Sequence, residues 1–67
     1  MAAYKKIDVV GTSSESVAEA IRVAVAEAGK TVRNMSWFEV SEIRGHIEGG
    51  KVSQYQVVLK VGFKVER

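Results

Sequence analysis

Trp37 is the only tryptophan of this chain and the residue best suited to bind a planar group. It precedes Phe38 and Val40 in a segment that alternates apolar and polar residues, so a strand there would turn the indole away from the core. A large aromatic ring on an outer sheet face has two common uses. It stacks on a planar ligand, or it anchors contact with another protein surface. The residues by themselves leave both roles open.

Arg44 and Gln56 are predicted on the same outer face as Trp37. The three-residue loop Gly49-Gly50-Lys51 between two alternating segments is typical of a β-hairpin, and its register sets Arg44 opposite Gln56. Trp37 then lies opposite Gly62, which leaves open space beside the indole. The Arg44–Gln56 pair is about 20 Å along the strand from Trp37. One planar ligand that contacts both places must be held by different subunits, or the sheet must bend sharply.

The two strands that position these residues differ in regularity. Residues 52–66 alternate cleanly, with Tyr55 to Val65 facing the core at odd positions and polar residues, including Glu66, facing outward. In residues 36–48 the apolar face changes parity, and an inserted residue near Ser41–Glu42 explains the change as a β-bulge. With that bulge, the core face carries Phe38, Val40, Ile43 and Ile47, and the outer face carries Trp37, Glu39, Glu42, Arg44 and His46.

The first half of the chain predicts one strand and one helix. Residues 4–10 alternate as a strand that ends at Gly11, and Thr12 to Glu15 has capping-box spacing. We expect the helix from about Ser14 to Gly29 or Lys30. Its apolar stripe consists of Val17, Ile21, Ala24, Val25 and Ala28.

These elements predict an α+β fold of order β-α-β-β, with a three-stranded antiparallel sheet packed on one helix in a single domain over residues 1–67. One helix cannot cover two strands of this length. Part of the apolar sheet face must therefore lie bare or meet another copy of the chain.

The composition narrows the class of protein. A chain of 67 residues has a marginal core unless disulfides, a metal or self-association reinforce it. Cysteine is absent, and one histidine, His46, cannot form a metal cluster by itself. Self-association remains, so we expect a homo-oligomer.

The net charge of +2 does not indicate a nucleic-acid partner. With no apolar run of membrane-spanning length and no hydrophobic signal segment, we expect a cytoplasmic protein without a membrane partner.

Several segments together resemble the bacterial dodecins, a family of flavin-binding proteins. The resemblance covers nearly the whole chain in order and spacing. It is carried by Val10-Gly11-Thr12-Ser13 before an alanine-rich helix, by Trp37-Phe38-Glu39-Val40 and Ile43-Arg44-Gly45, and by Tyr55-Gln56-Val57 ending in Val61-Gly62-Phe63.

The resemblance implies a hollow homododecamer with cubic symmetry, in which pairs of flavins stack at two-fold axes between symmetry-related tryptophans. Trp37 would be the stacking residue, Gln56 would hydrogen-bond the isoalloxazine edge, and Arg44 would contact the flavin. Riboflavin or FMN would be stored, quenched and protected there. Some bacterial members also bind coenzyme A, for which Lys5, Lys30 and Arg33 are the candidates.

Three other functions are compatible with a small domain of this kind. A flavoenzyme would need a substrate space and a titrating group, but His46 is a lone histidine at an exposed strand end, and no nucleophile–base pair, phosphate loop or metal spacing is present. We therefore expect no catalysis. A nucleic-acid module would use an aromatic and basic sheet face, which Glu39, Glu42 and Glu66 oppose. A structural interaction domain would use Trp37 only as an interface anchor.

Overall fold

Three antiparallel strands and one helix make up the structure, a computed structural model that describes residues 2–65. The elements are β1 (Tyr4–Ser13), α1 (Val17–Ala28), β2 (Met35–Glu48) and β3 (Lys51–Lys64). The sheet order is β1-β3-β2, with both pairs antiparallel. The predicted β-α-β-β fold is confirmed, while the outward-facing position predicted for Glu66 lies outside the described residues.

The core forms where a stripe of small helix residues meets the central strand. Ala20, Ala24 and Ala28 are buried on α1, and they belong to one cluster with Val57, Leu59 and Val61 of β3. The predicted stripe is confirmed, because Val17, Ile21 and Val25 pack at its margin. The prediction left out Ala20, which is fully buried where the helix lies close to Gly11 of β1.

Gly11 does not end the first strand, and that prediction is wrong. β1 continues to Ser13, and Gly11 pairs with Val57 in the middle of the sheet. A Cβ added at Gly11 would overlap the carbonyl oxygen of Ala20 and lie 2.8 Å from the Cβ of Ala24. The glycine therefore serves the close approach of helix and strand.

The helix begins later than predicted, and it is capped by a different residue. Ser16 is the N-cap, and its hydroxyl accepts a hydrogen bond from the backbone N–H of Glu19 at 3.0 Å. The predicted cap from Thr12 to Glu15 and the start at Ser14 are therefore wrong, because β1 extends through Thr12. The predicted end is confirmed to within one residue, with Gly29 as the C-cap.

The hairpin turn contains two residues rather than the three predicted. Gly49 and Gly50 have φ values of 58° and 75°, which glycine adopts without strain, and Glu48 lies opposite Lys51. Ser53 is then an extra residue in β3, because the pairing passes from Ile47–Val52 to His46–Gln54. The extra residue compensates for the shorter turn, so the rest of the hairpin has the predicted register.

The part of the hairpin that carries Trp37, Arg44 and Gln56 has the predicted register. Arg44 lies opposite Gln56, and Trp37 lies opposite Gly62. The predicted bulge is confirmed at Ser41, where the pairing passes from Val40–Leu59 to Glu42–Val58. A further shift between Met35 and Trp37 was not predicted.

The helix leaves β2 uncovered on the core side of the sheet. α1 packs mainly on β1 and β3, so an apolar row on β2 stays exposed although it faces the same way as the core. Ile43 is 61% exposed and Ile47 is 70% exposed. We call this row the uncovered apolar stripe; it consists of Phe38, Val40, Ile43 and Ile47. Within residues 2–65, no helix has both the length and the apolar character needed to cross a membrane.

Candidate functional site

Trp37 lies on the outer sheet face against the backbone of the central strand. Trp37 is 41% exposed, and its indole occupies the space above Gly62. A Cβ added at Gly62 would overlap the indole atoms Cζ2, Cε2 and Cη2. Gly62 therefore allows the ring to rest on β3, while the residue stays partly exposed.

Tyr4 packs beside the indole from β1, the opposite edge strand, across the central strand β3. The two ring centroids are 5.5 Å apart, with an angle of 60° between the planes. Such a tilted arrangement is favourable for aromatic pairs. Sequence reasoning missed this contact, because the register of β1 against β3 is not set by a short turn. Alternation did offer one signal, since Tyr4 has the opposite parity to the inward-facing Ile7 and Val9.

Glu39 links the indole to the first strand. Its Oε1 accepts a hydrogen bond from Lys6 Nζ at 2.8 Å and from Trp37 Nε1 at 3.4 Å. The hydrogen bond from Lys6 is the largest cause that lowers the pKa of Glu39 below its ordinary value of 4.5, and the indole N–H adds to it. At neutral pH the indole N–H therefore faces an ionised carboxylate.

A second ion pair crosses the sheet beside the first. Lys60 Nζ lies 2.8 Å from Asp8 Oδ1, and this hydrogen bond raises the pKa of Lys60 above its ordinary value of 10.5. The other carboxylates of β2 lie near cations of their own strand: Glu42 pairs with Arg44 at 3.5 Å, and the carboxylate of Glu48 lies 3.9 Å from His46 Nε2.

Arg44 and Gln56 line one pocket, and Trp37 lies elsewhere. The pocket has a volume of about 300 Å³ and is lined by Arg44, Gly45, His46, Gln54 and Gln56. The pairs Arg44–Gln56 and Trp37–Gly62 are six β3 residues apart, which is about 20 Å of strand. The structure thus brings two of the three predicted site residues together and places the third at the other end of the same face.

A basic pocket lies where the segment after the helix meets the ends of β1 and β3. Its volume is about 290 Å³. Lys5 and Arg33, two of the three coenzyme A candidates, both line it, whereas Lys30 instead pairs with Glu27 at 2.9 Å. The remaining lining residues are Thr31, Val32, Asn34, Phe63, Lys64 and Val65.

Over residues 2–65 the structure shows no group of three or more His, Cys, Asp or Glu side chains that could hold a metal ion. The site chemistry of the described residues is therefore that of an exposed aromatic face, an amide, a guanidinium and ion pairs.

The family model for dodecins matches residues 3–66. The chain belongs to the dodecin family. It is 56% identical over 63 residues to a curated dodecin from Thermus thermophilus, covering 94% of this chain and 91% of that relative. The resemblance stated from the sequence motifs is confirmed.

Solved dodecin-type structures have the same fold as this chain. A crystal structure of a Thermus thermophilus protein matches it with a TM-score of 0.95 and 52% identity, covering 100% of this chain and 98% of that one. A dodecin from Streptomyces davaonensis matches with a TM-score of 0.93 and 42% identity, covering 98% and 97% of the two chains.

Proposed function

We propose that this dodecin binds flavin, riboflavin or FMN, by stacking the isoalloxazine ring on Trp37 in a site completed by another copy of the chain. The observation that carries the proposal is the partly exposed indole of Trp37. The indole packs on Gly62, and it lies on the same side of the sheet as the Arg44–Gln56 pocket. The role is sequestration: bound flavin is stored, and its excited state is quenched by the electron-rich indole.

The chemistry of the three residues matches the parts of a flavin. The indole supplies a π-face for the tricyclic ring. The amide of Gln56 offers donors and an acceptor, which suit the carbonyls and imide N–H of the pyrimidine edge. Arg44 supplies a permanent cation with planar donors beside that amide. Because these groups lie at two ends of one sheet face, a tricyclic ring cannot reach both within one chain.

The uncovered apolar stripe supports assembly into a homo-oligomer. Small domains rarely leave a continuous apolar row in water, and a second chain that covers Ile43 and Ile47 would supply the burial that one helix cannot. We propose the dodecamer that gives the family its name as this assembly. Static light scattering should report a mass near twelve chains, and a stable monomer would contradict the proposal.

Storage rather than catalysis follows from the same arrangement. If two flavins stack between two symmetry-related indoles, little of either ring is left for a substrate to approach. The rival role, in which Trp37 serves only as an interface anchor, predicts assembly without flavin quenching. The two functions therefore differ in one measurable property.

A flavin titration separates these functions. Riboflavin or FMN fluorescence should be strongly quenched by the protein, with saturation near one flavin per chain, and Trp37→Ala should abolish or greatly weaken the quenching. Val23→Ala, on an exposed part of α1 away from the site, is the matched control and should titrate like the unmodified chain. Unquenched flavin at micromolar protein would contradict the proposal.

The basic pocket supports a second ligand. Its cationic residues Lys5, Arg33 and Lys64 surround one volume that also contains apolar lining from Phe63, which suits the phosphates of coenzyme A beside its apolar parts. Calorimetry should detect coenzyme A binding that Arg33→Ala weakens while flavin quenching stays unchanged. Equal heats for both proteins would exclude this pocket as the coenzyme A site.

A further inference from the structure

Glu39 contacts both the ammonium group of Lys6 and the indole N–H of Trp37. The sequence by itself indicated no role for Glu39 at the site. We propose that Glu39, held in place by Lys6, is a positioning residue that fixes the orientation of the Trp37 indole before any ligand arrives. The proposal rests on the proposed function for its consequence, which is tighter flavin binding. The orientation effect itself can be measured without flavin.

Packing against Gly62 does not by itself fully define the indole orientation. A tryptophan side chain has two rotatable bonds, and turning the ring over about the second would leave an aromatic surface on Gly62 but exchange the two ring edges. In the observed orientation the indole atoms nearest to Gly62 are Cζ2, Cε2 and Cη2, on the same edge as Nε1. The hydrogen bond from Nε1 to Glu39 is compatible with only this orientation.

Glu39 can select an orientation because its own carboxylate is held. It lies two residues from Trp37 on the same strand and on the same face, where a free glutamate would sample many rotamers. Lys6 reaches over from β1 and binds Oε1 at 2.8 Å, and Lys60, directly opposite Glu39, attracts the same carboxylate. The lowered pKa of Glu39 agrees with a carboxylate that stays charged in this position.

Lys6 thus holds the carboxylate of Glu39, and Glu39 in turn orients the indole of Trp37. The Nε1–Oε1 distance of 3.4 Å is long for a hydrogen bond, so this contact selects between orientations rather than clamping the ring. Tyr4 contacts the ring from the opposite edge strand, β1. A preoriented indole saves ordering cost on binding, and immobilising one such side chain corresponds to about a twofold to tenfold change in affinity.

Variants at Glu39 test the proposal through the near-UV circular dichroism of the flavin-free protein. The red edge of that spectrum reports the one tryptophan of the chain. Glu39→Ala should reduce this signal, and Glu39→Gln, which keeps an acceptor oxygen at the same reach, should restore most of it. Asp8→Asn is a comparison variant: it breaks the neighbouring Lys60–Asp8 ion pair and leaves both the Lys6–Glu39 and the Trp37–Glu39 hydrogen bonds in place. Equal spectra for Glu39→Ala and Asp8→Asn would overturn the proposal.

Lys6 provides a second test of the stated order. Lys6→Met should reduce the tryptophan signal in the otherwise unmodified chain and have no further effect in the Glu39→Ala background. Additive effects of the two substitutions would contradict action through Glu39. Flavin dissociation constants should rise about twofold to tenfold for Glu39→Ala. If flavin does not bind at all while the spectra behave as expected, the proposed function fails and the positioning role stands.

Discussion

Replacing Gly62 with alanine tests the contact between Gly62 and Trp37, on which the proposed stacking site depends. The new Cβ would fall within the indole of Trp37, so the ring must lift or rotate. Because the ring is partly exposed it can move, and forcing an extra methyl group into a packed position costs about 1–3 kcal/mol. An alanine in a strand is about 0.5–1 kcal/mol better than a glycine, which offsets part of that cost. We expect a net loss of about 0–2.5 kcal/mol in the free energy of unfolding.

A double-mutant cycle isolates this contact. In a Trp37→Ala background no indole is present, so Gly62→Ala should instead stabilise the protein by about 0.5–1 kcal/mol. Urea unfolding followed by far-UV circular dichroism, at one fixed chain concentration, measures both values. The same loss in both backgrounds would refute the claim that the indole is what Gly62 accommodates.

The same substitution should weaken flavin binding. A displaced indole no longer offers its face, and the loss of one stacking contact is worth about 1–3 kcal/mol, or roughly a fivefold to 150-fold rise in the dissociation constant. Gly29→Ala is the control. Gly29 has an ordinary helical φ of −65°, and an added Cβ would come within 3.0 Å only of the mobile methyl group of Met35. Its flavin affinity should be unchanged.

Three other predictions concern the scaffold and its charges. Gly11→Ala should destabilise the fold by about 3 kcal/mol in urea unfolding, because its Cβ meets the backbone carbonyl of Ala20, and a loss below 1 kcal/mol would contradict the close packing. Ser16→Ala should cost about 1 kcal/mol through loss of the N-cap, and Ser14→Ala should cost much less. The carboxyl of Glu39 should titrate below 4.5 by NMR, and Lys6→Met should move its pKa upward. Its contribution to stability, present above pH 4.5, should be lost as pH falls through that lowered pKa.

The site-bearing hairpin was predictable from alternation, because the core side of the sheet must be apolar. A change in parity after Val40 has a simple geometric explanation, and the bulge at Ser41 is there. The loop length was wrong by one residue, but the extra residue Ser53 shifts the register in the opposite sense. Arg44 and Gln56 therefore meet as predicted, although one step in the reasoning that paired them was incorrect.

The errors at the start of the helix arose from local signals that have two meanings. A glycine can end a strand, or it can allow another element to pack closely. The helix that lies over Gly11 shows that the second role applies here. Ser16 followed by Glu19 has the same capping spacing as Thr12 followed by Glu15. The pairing of β1 with β3 through Ser13 decides that choice, and this pairing depends on contacts distant in sequence.

The contacts around Trp37 were the part of the site that sequence could not supply. Tyr4, Lys6 and Glu39 come from two strands that do not pair with each other, since β3 lies between them. Their proximity depends on the register of both edge strands and on the absence of a side chain at Gly62. Each residue alone is an ordinary outer-face residue of a strand.

The proposed flavin site should not exist outside the oligomer, and one variant tests this directly. The double variant Ile43→Glu/Ile47→Glu places two charges in the uncovered apolar stripe while leaving Trp37, Arg44 and Gln56 in place. Light scattering and flavin fluorescence should be read together across one size-exclusion peak. We predict chains of monomer mass that leave flavin fluorescence unquenched even where far-UV circular dichroism shows them folded, whereas the unmodified chain quenches it at the mass of the oligomer. A monomer that still quenches flavin with undiminished affinity would contradict a site shared between copies of the chain.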